Sequence, residues 1–298
     1  MNRTLIATAA LAGIAVAGIA WAAPASAAEV KIRDAVAQVV VIVEDRQDVA
    51  VEVRQGRSRL PAVQVRRNGR DVEINGGLPR NRMWGGGSAI RNCNTGRGDP
   101  GQPANGATVE VRNLGVIRIE DAPTIILRTP RAVDLSAGGA VFGSIGRNAR
   151  SVTLSNGGCG GWNVANVDGP MELALGGSGS IRAGTSRSLE ANVGGSGSIW
   201  AGATGDLEAN IGGSGAITVA SARGEGDIAI GGSGDVIVRD GQMSDLSVAI
   251  GGSGSVRYGG ATRDLSVSIA GSGDVRVGAA TGDVSRTVIG SGTLVIGR

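Results

Sequence analysis

Residues 245–258 read DLSVAIGGSGSVRY, and residues 264–277 read DLSVSIAGSGDVRV. The second stretch restates the first at an interval of nineteen residues, and the same unit recurs on both sides of it. Gly-Gly-Ser-Gly begins at Gly176, Gly194, Gly212, Gly231 and Gly251, then decays to Ala-Gly-Ser-Gly at Ala270 and Ile-Gly-Ser-Gly at Ile289. The serines are Ser178, Ser196, Ser214, Ser233, Ser253, Ser272 and Ser291, spaced by 18, 18, 19, 20, 19 and 19 residues. Two degenerate copies, Gly157-Gly158-Cys159-Gly160 and Gly138-Gly139-Ala140, carry the register upstream.

Around each glycine turn the apolar residues alternate. Leu207, Ala209 and Ile211 precede one turn, Leu246, Val248 and Ile250 another, and Leu265, Val267 and Ile269 a third. Val236 and Val238, Val256 and Tyr258, and Val275 and Val277 follow their turns in the same manner. A period of two means strands with one buried face. A unit of about nineteen residues cannot close a core alone, whereas units stacked at about 4.8 Å bury a continuous aliphatic column. The fold expected is therefore all-β: a parallel β-solenoid of about nine rungs over 131–298. The 53 glycines and the lack of any 3.6-residue period exclude a helical bundle. A narrow interior also suits a chain with only 2% aromatic residues, and rings are expected to be seldom inside.

The repeated Leu-x-x-x-Ile-x-Gly-Ser-Gly-Asp/Ser-Val pattern over roughly 130–298 resembles the autotransporter-adhesin head GIN domain family, a bacterial family of unknown function. The resemblance implies a β-helical fold, export and an adhesin-like role. It brings no catalytic residues with it.

Residues 28–130 read differently. Segments 39–43, 49–53, 63–65 and 108–111 are β-rich, with Asn68-Gly69 and Asn75-Gly76 as turns, while 77–106 is dense in Gly, Asn and Pro. Because a solenoid end exposes unpaired strand edges, 28–130 is expected to form a β-rich cap. At the other end Arg286 replaces the inward aliphatic of Ala209, Val248 and Val267, which suits a last rung meeting water.

The first residues bear on compartment. Arg3 precedes an apolar run over 5–21, and Ala25-Ser26-Ala27 has the small-x-small pattern of a signal-peptidase site. Residues 1–27 are expected to be a signal peptide, leaving no transmembrane segment in the mature chain, which would be periplasmic, cell-surface or secreted. In an oxidising space Cys93 and Cys159, the two cysteines of the chain, are expected to form a disulfide between the 77–106 loop and the degenerate turn.

Most chemistry is excluded by composition. With no His, serine triads, most cysteine-protease chemistry and His-ligated metals disappear. A carboxylate column exists, since Asp206, Glu225, Asp245, Asp264 and Asp283 each lie eight residues before the serine of their rung. Recurrence on every rung marks a turn-capping acceptor, whereas a catalytic pair would interrupt the repeat. Gly231-Gly232-Ser233-Gly234-Asp235 fails as a calcium β-roll, because an inward Val236 follows and the period is not nine. No cofactor, metal or catalytic residue is expected.

Charge is uneven under a net +3: residues 54–97 hold ten Arg against Asp71 and Glu73. Either these form a solvated surface balanced by acids elsewhere, or they bind a polyanion such as lipopolysaccharide phosphates. Nucleic acid is an unsuitable partner for an exported chain with so few aromatics. Outward positions of the second strand are Arg182, Trp200, Thr218, Ile237, Arg257, Arg276 and Val295. Trp200 with Arg182, Arg257 and Arg276 makes a glycan-stacking or partner-docking strip, or else Trp200 packs beneath the N-terminal region or a neighbouring chain. The function expected is a non-catalytic, adhesin-like binding module of the cell envelope for a glycan, lipopolysaccharide or protein. The alternatives are a structural envelope protein without a discrete ligand and, third, a glycan-active β-helix enzyme.

Overall fold

A computed structural model describes residues 27–79, 89–94 and 106–297. The signal-peptide reading, apart from Ala27, lies outside them, as does much of the 77–106 loop. The chain is a parallel β-solenoid of about nine turns at nineteen-residue spacing. Each repeat contributes one strand before its glycine corner and one after it, as in Asp206–Ile211 and Ala216–Ala222. Strands of the first kind stack into one long ladder and strands of the second kind into another. A short return segment, paired through Ala203↔Ser221, Gln242↔Ala261 and Ala261↔Ala279, closes the turn on a narrow third side.

The register is the one that the repeat requires. Leu189, Leu207, Gly226, Leu246 and Leu265 align in one inward column, and Ala191, Ala209, Ile228, Val248 and Val267 in the next. Leu207, Val236, Val248, Val267 and Val275 are each at most 2% exposed. Arg286 continues the Val267 column on the last rung and is exposed. A guanidinium there remains hydrated, and an inward charge discourages another strand from adding to the edge.

The serine ladder is built through the main chain. Ser214, Ser233, Ser253, Ser272 and Ser291 each donate their N–H to the carbonyl of the glycine just before the serine of the preceding turn, at 3.0–3.2 Å, while the residues themselves stay exposed. The last glycine of the motif is buried at every corner, because the chain passes directly over the rung below. A Cβ on Gly215 would sit 2.4 Å from the Gly197 carbonyl oxygen and 2.4 Å from Val193 Cγ1.

Two expectations need correction. The parallel ladder does not begin near 131. Glu29–Val43 is itself a rung, pairing in parallel with Ala132–Ile145 across both ladders. It lacks a glycine corner; Asp34, at φ 49°, makes the turn instead. Asp71–Asn75 and Thr124–Thr129 extend the two ladders beyond it, again in parallel. Gln64–Asn68 and Ala50–Arg54 then finish them with antiparallel strands. Between Asn75 and Thr124 the chain leaves the solenoid to form an antiparallel sheet of Ile90–Asn94, Thr108–Val111 and Gly115–Arg118. That sheet packs Val109, Val111 and Ile117, with Ile119 of the turn that follows it, against Val36, Ala140 and Phe142 in a second core.

The interior also holds rings. Trp162 and Tyr258 are among the largest fully buried side chains. Gly143, on the rung before Trp162, supplies the space, since a Cβ there would meet the indole Cζ3 at 2.4 Å. The Tyr258 hydroxyl donates to the Ala261 carbonyl at 2.9 Å, so its polar end is satisfied at the return segment.

Cys93, on Ile90–Asn94, and Cys159, on the degenerate corner, have Cα atoms 6.2 Å apart, within the span of a disulfide. The bridge staples the excursion sheet to the solenoid. Non-reduced mass spectrometry is expected to show the pair two hydrogens lighter than two thiols, and Cys93→Ser with Cys159→Ser to lower stability by ~2–4 kcal/mol. Two free thiols in protein produced under oxidising conditions would refute the bridge.

Candidate functional site

The inward positions are filled by aliphatic side chains and a few rings, so binding chemistry has to lie on outward positions. The two ladders present faces of different character.

On the first face, two outward columns flank each inward leucine column. One contains Asp206, Glu225, Asp245, Asp264 and Asp283; the other contains Asp134, Glu172, Glu190, Glu208 and Asp227. Between them runs an axial trough of about 860 Å³, walled by carboxylates and by hydroxyls such as Ser188, Ser247 and Ser266. Asp206 Oδ1 accepts the N–H of Glu225 at 3.1 Å, and Asp264 Oδ1 that of Asp283 at 3.0 Å, so at these two rungs the column caps the next corner. Arg263 donates to Asp264 at 2.9 Å and lies 3.5 Å from Asp245; its hydrogen bond, with that of the Asp283 N–H, holds the Asp264 carboxyl below its ordinary pKa. Asn192 and Asn210 form a short amide ladder, joined at 3.0 Å, and each donates to the glutamate two residues before it. Asp134 is pushed up by burial and then by the neighbouring charges of Glu29 and Glu172. Among the described residues, no three acidic or cysteine side chains converge to hold a metal ion.

On the second face the strip read from the sequence is in register: Arg182, Trp200, Thr218, Ile237, Arg257, Arg276 and Val295 are successive partners. Trp200 is 38% exposed, so the described residues of the N-terminal region do not bury it. Beside the arginines runs a second outward column, in which Ser255 donates to Asp235 and Thr293 to Asp274. Two depressions, of about 130 and 240 Å³, lie on either side of Arg257 and Arg276.

The arginines of 54–97 divide. Arg80, Arg82 and Arg97 lie outside the described residues. Arg54 pairs with Glu52 at 2.8 Å, Arg57 approaches Asp121 at 3.7 Å, and Arg67 donates to the Val49 carbonyl at 2.8 Å. Arg54 and Arg57 thus have acidic neighbours, while Arg67 is held by a neutral carbonyl. Arg33 and Arg91 line a cleft of about 830 Å³ between the excursion sheet and the Cys159 corner.

No protein-family model matches the chain, and no curated protein resembles it in sequence. A solved structure from Parabacteroides distasonis, of a protein described provisionally as lipid binding, aligns with a TM-score of 0.55 at 18% identity. The alignment covers 91% of this chain and 92% of that one. The likeness is one of fold.

The second acidic column went unremarked in the sequence reading. Its signal was there: Glu190 and Glu208 sit two residues after the positions of the capping column, on the same side of the strand. Only stacking turns these isolated acids into a continuous charged wall.

Proposed function

We propose that the chain is an exported, non-catalytic binding module of the bacterial cell envelope, adhesin-like in the sense of the head GIN family, which takes an elongated anionic glycan along its second face. The observation that carries this reading is the in-register strip in which exposed Trp200 adjoins Arg182 on the preceding rung. An indole face stacks on a sugar ring, while guanidiniums complement carboxylate or phosphate groups along a polymer. The acidic walls of the first face repel such a polymer and leave the second face as the surface that accepts it. The provisional lipid-binding description of the Parabacteroides protein supports a binding role for this shared fold.

A screen of envelope glycans and lipopolysaccharide against the mature protein tests the proposal. Trp200→Ala is expected to weaken the best ligand about tenfold, the equivalent of ~1.4 kcal/mol, with the thermal midpoint nearly unchanged. The arginine contribution should fall as salt rises. If Trp200→Ala instead unfolds the protein, Trp200 is a packing residue and the strip loses its role.

A further inference from the structure

Arg257 and Arg276 are register partners on adjacent rungs, so their backbones lie about 4.8 Å apart and both side chains point to solvent. Neither has an ion-pair partner among the described residues. The nearest acids on the strip, Asp235 and Asp274, are engaged along the axis by Ser255 and Thr293. Two like charges held one rung apart repel, and the repeat does not impose this: the same column carries Thr218 and Ile237 on the two preceding rungs.

Beside the pair, the next outward column carries Arg239 on the preceding rung and then no side chain on the three rungs that follow. Gly259, Gly278 and Gly297 stack there, so closely that a Cβ on Gly278 would lie 2.6 Å from the Gly259 carbonyl oxygen and one on Gly297 2.3 Å from that of Gly278. Their absent side chains leave the depression of about 240 Å³, bounded by the two arginines and Val295. Its floor is bare backbone and its rim is twice cationic.

We infer that Arg257 and Arg276 form a phosphoryl-anion site, with the uncharged moiety bearing the phosphate seated in the glycine trough. Two guanidiniums one rung apart offer parallel N–H pairs to a tetrahedral oxyanion, which a single carboxylate fills less completely. The anion removes the repulsion within the pair, and the trough accepts a group of sugar or glycerol size. The inference rests on the second-face reading above and names the charged group that this face recognises.

Titration calorimetry with inorganic phosphate, glucose 6-phosphate, and phosphatidylcholine vesicles with and without phosphatidylglycerol tests it. Wild type is expected to bind glucose 6-phosphate or the phosphatidylglycerol vesicles more tightly than inorganic phosphate; which of the two it prefers separates a soluble from a lipid source. Arg257→Gln with Arg276→Gln should weaken that binding at least tenfold. The paired lysine variant should recover part of it, because charge returns without the planar fork. Arg263→Gln, on the opposite face and paired with Asp245 and Asp264, should bind as wild type does. Binding of the double glutamine variant within twofold of wild type, or no gain over inorganic phosphate for either larger probe, overturns the site. Trp200, three rungs away, separates this failure from that of the broader reading. A glycan signal lost in Trp200→Ala, with no response to any phosphate probe, leaves the binding module standing and removes the phosphoryl site.

Discussion

Gly215→Val is expected to destabilise the protein by about 3 kcal/mol or more, at the upper end of what overpacking costs. The added Cβ would fall 2.4 Å from both the Gly197 carbonyl oxygen and Val193 Cγ1. That carbonyl is not free to withdraw, because it accepts the Ala216 N–H at 3.0 Å and belongs to the ladder joining the two rungs. Relief would require separating rungs along the whole ladder. Gly212, three residues earlier in the same corner, is the matched control. Nothing lies within 4 Å of its added Cβ, and its backbone is not in the left-handed region. Gly212→Ala should change stability by less than about 1 kcal/mol. Chemical denaturation of the two variants decides the matter, and equal losses would show that corner glycines are kept for chain flexibility alone.

Trp162→Ala is expected to cost ~3–5 kcal/mol. Trp162 is fully buried, and its ring occupies the space left by the missing side chain of Gly143. Removing the indole leaves a void between residues whose backbones are pinned by pairing to Gly143 on one side and Ile181 on the other. The rungs cannot collapse into that void without breaking hydrogen bonds, so most of the cavity should persist. A measured loss below about 1 kcal/mol would mean that the first complete rungs repack freely.

The solenoid was legible from residue 131 onward because each rung states its own geometry twice. Alternation within Asp206–Ile211 assigns the faces, and the glycine corner after Ile211 states where the chain turns. Glu29–Val43 was not legible as a rung. It turns at Asp34 without a glycine corner, and its partner strand begins at Ala132, about a hundred residues away. Neither local pattern nor period points to such a partner. The buried Trp162 was hidden for a related reason, since the glycine that admits it lies a full rung earlier in the chain.

Of the candidate surfaces, the strip of Arg182, Trp200, Arg257 and Arg276 followed from the register alone, because side-chain period two and repeat period nineteen together fix which residues stack. The exposure of Trp200 did not follow, because covering by another part of the chain leaves no trace in the repeat. The glycine trough beside Arg276 was likewise invisible, since Gly259, Gly278 and Gly297 become a cavity only when stacked. By itself the sequence determined the periodic part of this protein: its strands, its inward columns and the order of side chains along each face. Only the tertiary structure decided how the aperiodic N-terminal third joins that column and where the surface is hollow, because both depend on contacts between residues that no repeat relates.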